Sequence, residues 1–112
     1  MIRQSYTAVV ERNTLWTGSF ETEPYESAWA HEALIFIRAL DASEMVAYVP
    51  ARVQISPDGI QWCDEGSLVS LPSKPGVTTF GRVSHFGGWL RIVGEVPPGA
   101  QLKVIVYLAL KA

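Results

Sequence analysis

This sequence is short of charge. Only 18% of its 112 residues are Asp, Glu, Lys or Arg, against about a quarter in an ordinary soluble domain. The nine Lys and Arg residues form no run, which excludes the basic footprint that nucleic acid requires. There is a single cysteine, Cys63, so no intrachain disulfide holds the fold. Histidine occurs only at His31 and His85. Neither has the carboxylate or cysteine spacing of a zinc site or a catalytic pair. No apolar run approaches the ~18 residues needed to cross a membrane. No charged-then-apolar N-terminal stretch marks a signal peptide. We therefore expect no cofactor, no metal, no nucleic acid and no membrane partner. The chain is compatible with a cytoplasmic or virion location.

What is present is apolar. Hydrophobic residues make up 48% of the chain and net charge is −2. The length suits one domain, 1–112, with a core of its own. Low charge leaves part of its surface to be covered by copies of itself or by another structural protein.

Period-two alternation dominates. Leu102, Val104, Val106, Leu108 and Leu110 alternate without a gap and predict a closing strand. Its other face carries Ile105, Tyr107 and Ala109 between Gln101, Lys103 and Lys111. We take Ile105 and Tyr107 as candidate subunit-interface residues. Gly88–Val96 predicts the strand before it, with Pro97-Pro98-Gly99 as the turn of a hairpin. Gly76–Phe86 predicts another strand, with Gly81 as a bulge or bend. Gly66–Leu71 is a short one. Ala51, Val53 and Ile55 alternate up to Ser56-Pro57-Asp58-Gly59. There the Asp-Gly pair predicts a hairpin turn leading into Ile60-Gln61-Trp62. Ser5–Glu11 and Leu15–Phe20 predict two strands around Arg12-Asn13-Thr14, and Glu21–Glu26 a solvated loop.

Residues 27–45 are ambiguous. Trp29, Ala33, Ile37 and Leu40 share a helical face, but Ile35 falls off it. A buried strand accommodates the continuous run Leu34–Ile37, so residues 32–41 are expected as strand, with a short helix within 27–45 as the alternative. The fold class is all-β: an antiparallel two-sheet sandwich, jelly-roll-like, of seven to eight strands.

No motif carries chemistry. Cys63 has acidic neighbours, Asp64 and Glu65, which oppose thiolate formation. Asp58, Asp64 and Glu65 lack the spacing of a calcium loop. Gly87-Gly88 precedes a strand, so no helix dipole backs a phosphate loop. His31 reads as a loop residue and His85 as a packed strand residue. We expect no enzyme. The aromatics Trp16, Tyr25, Trp29, Trp62 and Trp89 are candidates for core packing, for a protein interface or for a sugar-stacking platform.

Ile55-Ser-Pro-Asp-Gly-Ile-Gln-Trp62 resembles a Ser-x-Asp-Gly-x-x-Trp hairpin of β-sandwich groups. Trp89-Leu90-Arg91-Ile92 resembles the strand that often follows it. Together with the long closing strand, this order is similar to that of small sandwich proteins from tailed-phage and prophage structural regions. It is less similar to discoidin-type binding domains, which are longer and bracketed by cysteines. The resemblance spans roughly residues 32–112. It implies a self-associating structural module. A carbohydrate-binding sandwich is the second reading.

Overall fold

The computed structural model describes residues 5–84 and 86–112; the reading of His85 lies outside them. No helix occurs among the described residues, so the helical alternative for 27–45 falls. Nine strands form two antiparallel sheets: β1 (Ser5–Trp16), β2 (Ser19–Glu21), β3 (Tyr25–Glu26), β4 (Glu32–Ser43), β5 (Pro50–Ser56), β6 (Cys63–Ser70), β7 (Thr78–Ser84), β8 (Trp89–Glu95) and β9 (Gln101–Lys111). One sheet has the order β1-β9-β4-β7. The other has β2-β8-β5-β6, with β3 also on β8.

The pairing is nested. β1 pairs β9, β2 and β3 pair β8, β4 pairs β7, and β5 pairs β6. A long antiparallel ribbon of such pairs, rolled so that β9 meets β4 and β8 meets β5, is a jelly roll. β2 and β3 are two pieces of one edge line. Between them Thr22 donates its N–H to the Ile92 carbonyl, and its hydroxyl accepts the Ile92 N–H, both at 2.9 Å. The stretch expected as a solvated loop is therefore pinned at its centre.

Alternation sets the core. β4 turns Ala33, Ile35, Ile37 and Ala39 inward, and β9 does the same with Leu102 to Leu110. They meet Ala51, Val53, Val69, Leu90 and Ile92 of the opposite sheet. Each fully buried aliphatic side chain contributes ~1.5–3 kcal/mol. Ile35, which disqualified the helix, is among the most deeply buried residues.

Four local expectations change. Arg12–Thr14 is no turn: β1 runs through it, its register against β9 slipping between Val9 and Glu11 and again between Glu11 and Thr14. Bulges absorb the extra residues, and Asn13 takes the left-handed conformation, φ 57°. Leu15–Phe20 is not one strand: Leu15 and Trp16 end β1, Ser19 and Phe20 open β2, and the chain crosses between the sheets in between. Pro97-Pro98-Gly99 joins no hairpin either; β8 and β9 lie in opposite sheets, and the turn links the two. Gly81 holds an unbroken register opposite Ile35. Instead of a bulge it makes a close approach to Val69.

Candidate contact face

The two outer faces differ in chemistry. On the five-stranded sheet, polar side chains join across four strands. Arg91 donates from Nη1 to Glu21 Oε2 at 3.1 Å and from Nε to Gln54 Oε1 at 2.9 Å. Gln54 Nε2 donates to Asp64 Oδ1 at 2.9 Å, and Arg52 Nε lies 3.5 Å from the same oxygen. The Arg91 guanidinium stacks 4.3 Å from the Trp62 ring centroid. This face satisfies its own polar groups.

The outer face of the four-stranded sheet is the opposite. Val9 of β1 lies opposite Tyr107 of β9, Tyr107 opposite Phe36 of β4, and Phe36 opposite Phe80 of β7. The result is one apolar row across every strand of the sheet. Directly paired residues point to the same side, and these positions alternate with the buried set, so the row points away from the core. Phe36 and Phe80 have ring centroids 6.2 Å apart, and the Arg82 guanidinium sits 5.4 Å from the Phe80 centroid. The next row holds Thr7, Ala109, Leu34 and Arg82, and the one on the other side Ile105, Arg38 and Thr78. Phe80 is 54% exposed and Val9 38%, while Phe36, Tyr107 and Ile105 are half-buried.

Ile105 and Tyr107 thus stand on this face, as the half-apolar outer side of the closing strand indicated. Val9, Phe36 and Phe80 were missed as its members. The signal for Phe36 was present in the run Leu34–Ile37, where apolar residues occupy both faces of one strand. The pairing of Phe36 with Phe80 has no local signature.

The aromatic candidates differ in their surroundings. Trp16 takes the packing alternative and leaves the interface and sugar-platform ones: it is 3% exposed and stacks on Phe20 with centroids 3.8 Å apart. Tyr25 is half-buried; burial first, then the neighbouring Tyr6 hydroxyl, raises its pKa. Trp29 is the most open, at 41%. Trp62 gives one ring face to Arg91. Trp89 packs on the α-carbon of Gly59, where an added Cβ would stand 3.2 Å from the ring.

The Asp58 loop is a self-contained turn. Asp58 Oδ1 accepts the N–H groups of Ile60 and Gln61 at 2.9 Å and the Ser56 hydroxyl at 3.0 Å. Ser56 Oγ in turn accepts the N–H groups of Asp58 and Gly59. Gly59 supplies the positive φ, 79°. The turn lies where the Asp-Gly pair predicts it, but Ile60-Gln61-Trp62 belong to the loop, and the partner strand begins at Cys63. The bonds from Gln61, Ile60 and Ser56, in that order, hold the Asp58 carboxyl below the usual carboxylate range.

The remaining polar candidates do not converge. His31 is exposed, and its backbone N–H donates to the Lys111 carbonyl. Cys63 is an exposed free thiol. An open groove of about 370 Å³ is lined by Glu32, Glu65, Arg82 and Lys111, among others, and so is mixed in charge. Among the described residues, no three His, Cys, Asp or Glu side chains are placed to hold a metal, and no helix is long and apolar enough to cross a membrane.

No protein-family model matches the chain, and no curated protein matches its sequence. Among solved structures, the SPBc2 prophage-derived protein YomS is similar with a TM-score of 0.62. The match covers 100% of this chain and 96% of that one at 11% identity. The likeness is one of fold. It supports the two-sheet β fold.

Proposed function

We propose that this chain is a non-catalytic structural module that assembles with copies of itself, in the manner of a phage or prophage virion-associated component. The observation that carries the reading is the row Val9–Tyr107–Phe36–Phe80. A solvated sheet face normally alternates apolar-in with polar-out. Here one row of the outer face is apolar across the whole width of the sheet, while the other sheet covers its outer face with a hydrogen-bonded polar network. Contiguous apolar surface of this kind, rimmed by Arg38, Arg82, Lys103 and Lys111, is characteristic of protein contacts. The low charge of the chain and the prophage origin of a structural neighbour support the same reading.

The test is a pair of surface substitutions read by sedimentation. Phe80→Glu places a charge in the apolar row, and Leu68→Glu places one on the exposed outer face of β6. Phe80→Glu is expected to weaken self-association by roughly tenfold or more, the equivalent of ~1.4 kcal/mol. Leu68→Glu leaves it unchanged. Equal behaviour of the two variants contradicts the assignment of the face.

A further inference from the structure

Sheet edges expose unpaired backbone groups, and proteins blunt them with bulges, charges, short strands or cover. Three of the four edges here are treated so. β2 and β3 have three and two residues. β6 carries Asp64 and Glu65 and an irregular register between the Arg52 and Gln54 pairings. β7 lies against β6, with Gly81 in close approach to Val69 and the Leu68 carbonyl. The fourth edge, β1, is protected in its second half, where two bulges and the charged pair Glu11-Arg12 fall. Its first half is different. Ser5-Tyr6-Thr7-Ala8-Val9 pairs with β9 in unbroken register and contains no charge, proline or glycine. Among the described residues β9 is its only sheet neighbour.

We infer that a second copy of this chain adds to this edge, with the Ser5–Val9 segments pairing antiparallel about a two-fold axis centred on Thr7. An antiparallel pair of identical strands is self-complementary, as an isologous two-fold contact must be. Residues directly opposite in such a pair point to the same side. The outer faces of the two sheets therefore join into one eight-stranded surface: Thr7 meets the partner's Thr7, and the row ending at Val9 runs into the partner's polar row that begins at Ser5.

Area favours this occupant. Three cross-strand rows ~7 Å apart on four strands ~4.8 Å apart make roughly 400 Å² of face. A stable contact takes about 800 Å² from each partner. One copy's outer face over these rows is half that size; the edge-paired dimer doubles it. The edge pairing stands on the strand edges themselves, and only this second step, dimers meeting through the joined face, rests on the function proposed above.

The experiment uses the full chain with Cys63→Ser, which leaves no native thiol. Thr7→Cys and, as a control on another edge, Leu68→Cys are added singly; both positions are exposed. Across an antiparallel pair the Cα atoms are ~4.5–5.5 Å apart, within disulfide range. Under dilute diamide, Thr7→Cys is expected to form a covalent dimer roughly tenfold faster than Leu68→Cys, through its high effective concentration. Adding Phe80→Glu, which disables the face, should leave that crosslink intact. If Thr7→Cys crosslinks no faster than Leu68→Cys while the chain is still oligomeric, the edge pairing is wrong and the face contact stands. If Thr7→Cys fails to crosslink and the chain is monomeric, both are wrong.

Discussion

Gly81 of β7 lies so close to Val69 of β6 that a Cβ at position 81 would stand 2.5 Å from Val69 Cγ2. β7 and β6 belong to different sheets, so this contact closes one side of the sandwich. Valine is stiff at χ1 and cannot easily turn its methyl away. Gly81→Ala is therefore expected to destabilise the chain by ~1–3 kcal/mol through overpacking. Chemical denaturation measures it. In a Val69→Ala background the same substitution should cost much less, because the clashing methyl is gone. Additive costs would contradict the contact.

The Asp58 turn makes an acid-sensitive contribution. Its folded pKa lies below the ordinary 3.8. The stability it provides is thus fully present above about pH 4 and is lost as pH falls through the folded value. Thermal midpoints of the wild type should fall in that acid window more steeply than those of Asp58→Ala, which has already lost the acceptor. Parallel curves would show that Asp58 does not organise the loop. Ser56→Ala removes the hydroxyl that accepts two backbone N–H groups at a buried position, and should cost ~1–3 kcal/mol at neutral pH.

Arg91 holds the polar face together through Glu21, Gln54 and the Trp62 ring. Its ion pair with Glu21 is exposed on the acid's side and contributes little by itself. The planar guanidinium matters more, because it stacks and donates in two directions at once. Arg91→Lys is expected to lose nearly as much stability as Arg91→Ala, about 1 kcal/mol. Full retention of stability in Arg91→Lys would mean that charge alone suffices.

The sequence made burial legible and connectivity less so. The alternation Leu102–Leu110 reports a face in the core, and the structure buries every one of those residues. It cannot report which strand lies alongside, so Pro97-Pro98-Gly99 reads as a hairpin turn although it arches between sheets. Asp58-Gly59 locates a turn correctly, but the side-chain bonds that lengthen it to Trp62 depend on three-dimensional geometry. The continuous run Leu34–Ile37 signalled a strand apolar on both sides. That Phe36 then meets Phe80 and Tyr107 follows from register, which depends on residues distant in the chain. Two of the apolar members of the candidate face, Ile105 and Tyr107, were therefore readable from one strand. Trp16 was not, because composition does not distinguish a tryptophan stacked inside from one displayed outside.

Self-association is the central claim, and the mass of the unaltered chain in solution tests it most directly. Sedimentation equilibrium over micromolar to millimolar concentrations at neutral pH should return a mass above that of the 12.3 kDa chain, rising with concentration towards a dimer and then a tetramer. A mass of one chain throughout that range would contradict the account.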